Sequence, residues 1–275
     1  NNSSVRLTWD AVADEDLLGY TILRSEDGEN FYTIMKGVQG TEFTDCEAAD
    51  DVPYTYVVKA EDNCHHLSER SAAVQASVTK EPGLVMQLGM DENTFDSTNN
   101  GNHAFASNPA FSSVAKHKAL SLGGGSSSYY ADGDWMQLPY TVLNHEAITL
   151  SLWTQWRGNN NEVLFCFGND KDNCLYLIPS NGVNMLFVLK HDGKTERLTT
   201  TSMGKNVWNH IAVTIDESGA TLYVNGSAVG TNTEMNAGNF GFRPTLNYLG
   251  RAFHTKLTYK GYIDDVAVYN YALSA

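Results

Sequence analysis

The sequence predicts an all-β protein, and three observations support this expectation. Apolar and polar residues alternate with a period of two along most of the chain, as in "ATLYVNGSAVG" at 220–230. No segment holds a continuous apolar stripe with the 3.6-residue period of a helix. Gly, Asn and Asp separate the short alternating stretches, which is typical of strands joined by turns. With 275 residues, of which 42% are hydrophobic, the chain is long enough to form two cores.

The first predicted strands belong to one small domain. About seven strands, if one short strand is hidden among them, suit a sandwich of roughly 80–100 residues. The stretch "KEPG" at 80–83 then interrupts the pattern with a Pro–Gly pair. We therefore expect a first domain at 1–80, a linker at 81–83 and a second domain at 84–275. The strands predicted in the first domain span 5–9, 19–24, 31–35, 41–44, 54–60 and 72–78.

Several features of residues 1–80 match one family. Trp9 stands where that family carries a core tryptophan, and "GYTILRSEDGENFYTI" at 19–34 looks like its third and fourth strands joined by a turn at Asp27–Gly28. Tyr54 matches its corner tyrosine. The first domain thus resembles a fibronectin type III domain, which implies an immunoglobulin-like sandwich. It is most similar to the versions that act as spacers between modules of secreted bacterial polysaccharide-degrading enzymes.

The second domain carries five stretches whose order and spacing match another family. The pair Asn225–Gly226 within the third stretch is the dipeptide that a type I′ hairpin turn requires. These stretches resemble the laminin-G-like members of the concanavalin A-like jelly rolls, which implies a second β-sandwich. They are "LSLGGGSSSYY", "AITLSLWTQW", "WNHIAVTIDESGATLYVNGSAVG", "NYLGRAF" and "GYIDDVAVYNYALS".

One loop of the second domain, "MDENTFDSTNNGNHA" at 90–104, is rich in oxygen-bearing side chains. Calcium prefers six to eight hard oxygen ligands, and Asn and Gly tolerate the backbone conformations that turn carbonyls inward. The loop is similar to a family pattern, D-x-S-G-N-G-N, that forms a calcium site with a carboxylate of the last strand. The resemblance implies a calcium (Ca²⁺) site with the ligands Asp91, Asp96, Asn99, Asn102 and Asp264.

The last predicted strand gives a hint of its own about this site. Alternation fails at Asp264–Asp265, because Ile263 and Val266 are both apolar although simple pleating puts them on opposite faces. A bulge there would turn a carboxylate toward the loop. The alternative is that residues 91–102 form a run of Asx turns, which Asp264 caps with backbone hydrogen bonds, and that no ion is required.

Aromatic residues beside polar loops are candidates for sugar binding. Trp156 ends its strand next to Arg157 and Asn159, whose guanidinium and amide groups can hydrogen-bond to hydroxyls while a ring stacks on a sugar. Trp135 and the pair Phe253–His254 lie in other predicted loops. We expect Trp153 and Trp208 to lie instead in the core, because they lie in apolar strand patterns.

Charge and motifs limit the function. With 18 Lys+Arg against 32 Asp+Glu the net charge is −14, which disfavours nucleic acid as a partner. No apolar stretch approaches the roughly 20 residues that span a bilayer, so we expect no membrane insertion. Neither a Glu-x-Asp-x-x-Glu run nor a G-x-S-x-G elbow is present.

We therefore expect a non-catalytic accessory module of a secreted or cell-surface glycan-degrading protein. Its partners would be a poly- or oligosaccharide and a catalytic domain of the same parent chain. The alternative is an adhesion or architectural module that docks a protein partner or a catalytic domain. Cys166 and Cys174 flank a predicted hairpin turn and form either a cross-strand disulfide or two buried thiols.

Overall fold

The computed structural model of the protein describes residues 4–46, 48, 52–78, 82–114, 117–125, 133–253, 255 and 257–274. The chain divides into two compact units, Asn1–Glu81 and Pro82–Ala275. This division falls within the stretch "KEPG", where the sequence predicts a linker. Among the described residues, no helix is long and apolar enough to cross a membrane.

The first unit is built from antiparallel strands. Its described strands are β1 Val5–Thr8, β2 Leu17–Ser25, β3 Tyr32–Val38, β4 Glu42–Asp45, β5 Tyr54–Asp62 and β6 Val74–Ala76. Each lies within three residues of its predicted range at both ends. Strands β1 and β4 form a two-stranded sheet, and the other four form a sheet of the order β3-β2-β5-β6.

A buried polar group links the two sheets of the first unit. Arg24 on β2 donates a hydrogen bond of 2.7 Å to the carboxylate of Asp45 on β4. The hydroxyl of Tyr56 on β5 donates to the same carboxylate at 2.9 Å. The guanidinium of Arg24 also lies 4.5 Å from the ring centroid of Tyr54. Because both charges are paired and hydrogen-bonded, this group can lie within the sandwich at low cost.

The second unit contains two larger antiparallel sheets. Within its described residues, the strands of the first, eight-stranded sheet are β7 Leu84–Leu88, β9 Phe111–Val114, β10 His117–Gly125, β12 Ile148–Trp156, β17 Trp208–Asp216, β18 Gly219–Val224, β19 Ser227–Asn232 and β21 Thr258–Tyr269. Their order is β19-β18-β17-β12-β21-β10-β9, and β7 also pairs with β21. The strands of the second, seven-stranded sheet are β8 Phe105–Ala106, β11 Met136–Leu138, β13 Phe165–Gly168, β14 Cys174–Ile178, β15 Asn184–His191, β16 Lys194–Thr201 and β20 Leu246–Leu249, in the order β16-β15-β14-β13-β20-β11-β8. A single turn of helix, α1, spans Ala237–Phe240.

The two sheets of the second unit share one hydrophobic core. Leu152 and Ile211 contribute to it from the eight-stranded sheet, and Phe165, Phe167 and Phe187 contribute from the seven-stranded sheet. The rings of Phe165 and Phe167 stack with their centroids 4.9 Å apart. Burial of these apolar side chains between two sheets is what stabilises a β-sandwich. The prediction of an all-β fold is confirmed.

Two local features agree with the sequence analysis. Val224 pairs with Ser227 across a two-residue loop, in which Asn225 has φ 51° and Gly226 has φ 79°, as a type I′ turn requires. Trp153 of β12 pairs with Asp264 of β21, and Ser151 pairs with Ala267. The segment of β21 between these two pairs is therefore one residue longer than the segment of β12 opposite it. The predicted bulge is therefore present, and Asp265 at its centre has φ 46°.

Candidate functional site

Strand β12 reverses two of the tryptophan assignments. Its alternate residues from Ile148 to Trp156 are buried, and Trp156 is only 3% exposed within the core between the sheets. Trp153 faces the other way and is 41% exposed. The assignment of Trp156 to a sugar-stacking surface is therefore wrong, because neither face of a buried ring can reach a sugar. The assignment of Trp153 to the core is also wrong.

The polar loop after Trp156 is organised by one buried carboxylate. Glu162 is 3% exposed and accepts hydrogen bonds from the Asn159 amide at 2.7 Å, the Lys260 amide at 3.0 Å and the Trp156 indole at 3.3 Å. A Cβ atom on Gly158 would lie 1.7 Å from this carboxylate, so only glycine fits there. The loop thus folds around Glu162 and is anchored to the core.

Arg157 and Asn159 are both exposed on this loop. The Arg157 guanidinium donates a hydrogen bond of 2.7 Å to the hydroxyl of Tyr262 and lies over its ring. The structure therefore separates these two residues from the buried Trp156, and the predicted group of three does not form one stacking surface.

Two other predicted residues, Trp135 and Phe253, are brought to one surface by the seven-stranded sheet. The ring of Tyr248, which is only 8% exposed, packs against both, with its centroid 5.4 Å from Trp135 and 5.8 Å from Phe253, so it supports these two rings and does not itself stack on a sugar. Phe105 belongs to the same surface, because its ring centroid lies 5.8 Å from that of Trp135 and Phe105 is 62% exposed. The guanidinium of Arg251 lies 5.0 Å from the ring centroids of both Trp135 and Tyr248. We call Phe105, Trp135, Tyr248, Arg251 and Phe253 the aromatic strip.

The sheet register explains why these distant segments meet. Gln137 pairs with Phe105 on one side and with Tyr248 on the other, so all three share the face that points away from the main core. Sequence analysis missed Phe105, Tyr248 and Arg251. Adjacent residues of a strand point to opposite faces of the sheet. Because Leu249 is buried in the core between the sheets, its neighbour Tyr248 points away from that core, and this parity was a signal in the sequence. His254, which was also assigned to this site, lies outside the described residues.

The loop at 90–104 is centred on the carboxylate of Asp96, which is 7% exposed. One oxygen accepts from the amides of Gln87 and Thr98, both at 3.0 Å. The other accepts from the Thr98 hydroxyl at 2.7 Å and from the Asn102 amide at 2.9 Å. Burial raises the pKa of Asp96, but these hydrogen bonds outweigh burial and hold the pKa below its ordinary value. The Asn102 side chain also donates to the Val85 carbonyl, which fixes the loop to β7.

This arrangement does not fit a preformed calcium cage. An ionised carboxylate offers about four lone-pair positions, and hydrogen bonds occupy two on each oxygen of Asp96. The Asp264 carboxylate accepts from the amide of Asp265 at 2.9 Å, while Asp91 and Asn99 are exposed. Among the described residues no group of three or more His, Cys, Asp and Glu side chains is placed to hold a metal. The network around Asp96 matches the Asx-turn part of the alternative, whereas capping of the loop by Asp264 and the calcium ion both stay predictions.

The two cysteines of the β13–β14 hairpin are buried thiols that form no disulfide. Cys166 pairs with Tyr176 and Cys174 pairs with Gly168, so the two cysteines are diagonal neighbours across the hairpin. Burial raises the pKa of Cys166 well above its ordinary value. The structure thus has the alternative of two buried thiols, which do not contribute to a reactive site.

The sequence of the second unit matches a known family. A laminin G family model, described as "concanavalin A-like lectin/glucanases superfamily", matches residues 130–275, which is more than half of the chain. No curated protein matches the sequence significantly.

Solved structures share the fold at low sequence identity. Domain 4 of an extracellular arabinanase from Geobacillus stearothermophilus, in complex with arabinotriose, is 19% identical with a TM-score of 0.57, and the match covers 71% of this chain and 96% of that chain. Botulinum neurotoxin type C, whose cell entry depends on two ganglioside molecules, is 14% identical with a TM-score of 0.54 and coverages of 70% and 48%. Trypanosoma rangeli sialidase with the inhibitor DANA is 12% identical with a TM-score of 0.52 and coverages of 82% and 42%.

Proposed function

Because the chain belongs to the concanavalin A-like lectin/glucanases superfamily, we propose that its second unit is a non-catalytic module that binds an oligosaccharide on the aromatic strip. The observation that carries the proposal is the guanidinium of Arg251, which lies 5.0 Å from the ring centroids of both Trp135 and Tyr248. Aromatic rings offer flat apolar faces for the C–H side of a sugar, and a guanidinium offers several N–H donors for its hydroxyls. The arabinotriose complex of the arabinanase domain supports the choice of ligand class.

The proposal includes the context of the module. We infer that the first unit is a fibronectin type III-like spacer, and that the whole segment belongs to a secreted or cell-surface protein with a catalytic domain elsewhere in its chain. The extracellular arabinanase, whose domain 4 has the same fold as the second unit, supports this placement. The predicted calcium ion would bind at the loop around Asp96 only if donors to that carboxylate were displaced.

Glycan binding is tested by changing the strip. We expect Trp135→Ala and Arg251→Ala each to weaken binding at least about tenfold, which corresponds to about 1.4 kcal/mol, because each removes a contact that the sugar makes directly. A glycan array on the intact chain selects the ligand, and titration calorimetry with that glycan measures the affinities of the variants.

Phe95→Ala is the control, because Phe95 is an exposed aromatic residue on the loop at 90–104 and does not belong to the aromatic strip. It should leave the affinity unchanged. Equal loss in all three variants would contradict the strip as the binding surface, and an array with no bound glycan would favour the architectural alternative.

We also expect no hydrolysis by this chain. A glycosidase needs a carboxylic acid with a raised pKa beside a second carboxylate. The pKa of Asp16 is raised by its hydrogen bond with the Asp14 carboxylate, but both residues are exposed on the segment before β2, where solvent screens such a pair. The pKa of Asp170 is lowered by the amides of Asp172 and Asn173, and the pKa of Asp216 is lowered by the hydroxyl and amide of Ser218. Incubation with plant, algal and host polysaccharides should release no reducing sugar above buffer. Turnover that a single Asp→Asn or Glu→Gln change abolishes would overturn this expectation.

A further inference from the structure

A second surface, on the outer face of the eight-stranded sheet, has the features of a small ligand site. Strands β12 and β17 place Ser151, Trp153 and His210 side by side on this face, because Trp153 pairs with His210. The Ser151 hydroxyl and Nε2 of His210 are 2.8 Å apart and share a hydrogen bond. The rings of Trp153 and His210 lie 5.3 Å apart, and Trp153 is 41% exposed.

A cleft of about 200 Å³ opens beside this group. It is smaller than the roughly 300–1,000 Å³ sites that take drug-sized ligands, so it has room for a single ring. The residues lining the cleft are Thr149, Ser151, His210, Ala212, Thr214, Tyr223, Gly226, Leu273 and Ser274.

Hydrogen bonds fix the walls of this cleft on two sides. The Thr149 hydroxyl donates to the Tyr271 carbonyl at 2.7 Å and accepts from the Leu273 amide at 2.9 Å, which holds the C-terminal segment against the sheet. On the other side, the amide of His210 donates to the side chain of Asn225, and the amide of Asn225 donates to the carbonyl of His210, both at 2.8 Å. The hairpin turn that carries Gly226 is thereby fixed beside His210, so the cleft is preformed.

The lining of the cleft is uncharged and mainly apolar with a few hydroxyl groups, which suits the C–H face of a neutral sugar. The side-chain hydroxyls of Thr214 and Tyr223 make no hydrogen bond within the described part of the protein, so both are available to a ligand. No Asp, Glu, Lys or Arg is among the lining residues. Burial lowers the pKa of His210 and so favours its uncharged imidazole. A charged ligand would therefore find no counter-charge in the cleft.

We propose that this cleft binds one ring of a neutral sugar, and that the next ring of the same chain lies on Trp153. Residues two apart on a strand are about 7 Å apart, so Trp153 is close enough to Ser151 to contact an adjoining ring. The inference rests on the proposed carbohydrate function, but it concerns a different face from the aromatic strip. With both surfaces occupied, one module would hold two glycan segments, and its avidity would exceed either single affinity.

Amide NMR spectra of the intact chain locate this site. Five neutral sugars, D-glucose, D-galactose, D-mannose, D-xylose and L-arabinose, are titrated separately, each to the millimolar range typical of weak ligands. At least one should shift the amide signals of Ser151, His210 and Tyr223, while D-glucuronate at the same concentrations should not. No shift with any neutral sugar, or equal shifts with glucuronate, would overturn the proposal.

Variants separate this cleft from the strip. The double change Thr214→Val with Tyr223→Phe removes two hydroxyls and keeps the shape of the cleft. It should weaken the affinity for the sugar that shifts the amide signals at least about tenfold. Trp135→Ala, which impairs the aromatic strip, should leave these shifts unchanged. An unaffected double variant with a native spectrum would reject the cleft, whereas glycan-array binding that still depends on Trp135 would leave the proposed function intact.

Discussion

Replacing Trp156 by alanine is expected to lower the free energy of unfolding of the second unit by about 3–5 kcal/mol. The indole is 3% exposed within the core between the two sheets, so its removal leaves a cavity there. It also removes the N–H donor that lies 3.3 Å from the buried carboxylate of Glu162. Urea unfolding of the intact chain, followed by a probe in the second unit such as the amide signals of β12, measures the loss.

Trp153→Ala is the matched control for this experiment. It removes the same side chain three residues earlier in the same strand, at a position that is 41% exposed. The expected loss of stability is about 1 kcal/mol or less, because the side chain is partly exposed to solvent and its removal costs mainly the ring contact with His210. If Trp153→Ala proved the more destabilising change, the orientation of β12, with Trp156 in the core and Trp153 on the outer face, would be wrong.

Replacing Asp96 by asparagine is expected to lower the stability of the second unit by about 2–4 kcal/mol, with a chelator present as well as with calcium. The reason is that Asp96 accepts four hydrogen bonds, whereas the amide group of asparagine would point N–H groups at some of the same donors. Thermal melts in EGTA and in millimolar calcium measure the loss. Asp91→Asn, at an exposed position in the same loop, is the control and should change little.

The pH dependence gives a second readout for Asp96. Because its folded pKa lies below its ordinary value of about 3.9, its contribution to stability is present above that pH and is lost as the pH falls through the folded pKa. The stability difference between the wild type and Asp96→Asn should therefore shrink as the pH falls from about 4. A wild-type protein that loses its stability in EGTA alone would instead show that an ion, and not the hydrogen bonds, holds the loop.

Local patterns in the sequence predicted much of the fold. Alternation and turn residues predicted the strands, and Asn225–Gly226 predicted the hairpin between β18 and β19, because such turns require residues that tolerate positive φ. The broken alternation at Asp264–Asp265 predicted the bulge in β21. Strand parity was also available for β12, since Ile148 and Trp156 are an even number of residues apart and must share a face. The assignment of Trp156 to a sugar-stacking surface overlooked that parity.

The sites depended on contacts that no local pattern contains. The aromatic strip joins side chains from three separate segments around 105, 135 and 248–253, and only the order of strands in the seven-stranded sheet brings them together. The cleft beside His210 likewise needs β12, β17, β18 and the C-terminal segment to meet. The role of Asp96 depended on how many N–H groups point at one carboxylate. The sequence by itself thus determined the all-β fold, the hairpin and the bulge, because the alternation of side chains and the φ preferences of turn residues act over a few residues. The tertiary structure decided which side chains share a surface and which carboxylate oxygens are already occupied, because both are set by pairing between strands far apart in the chain.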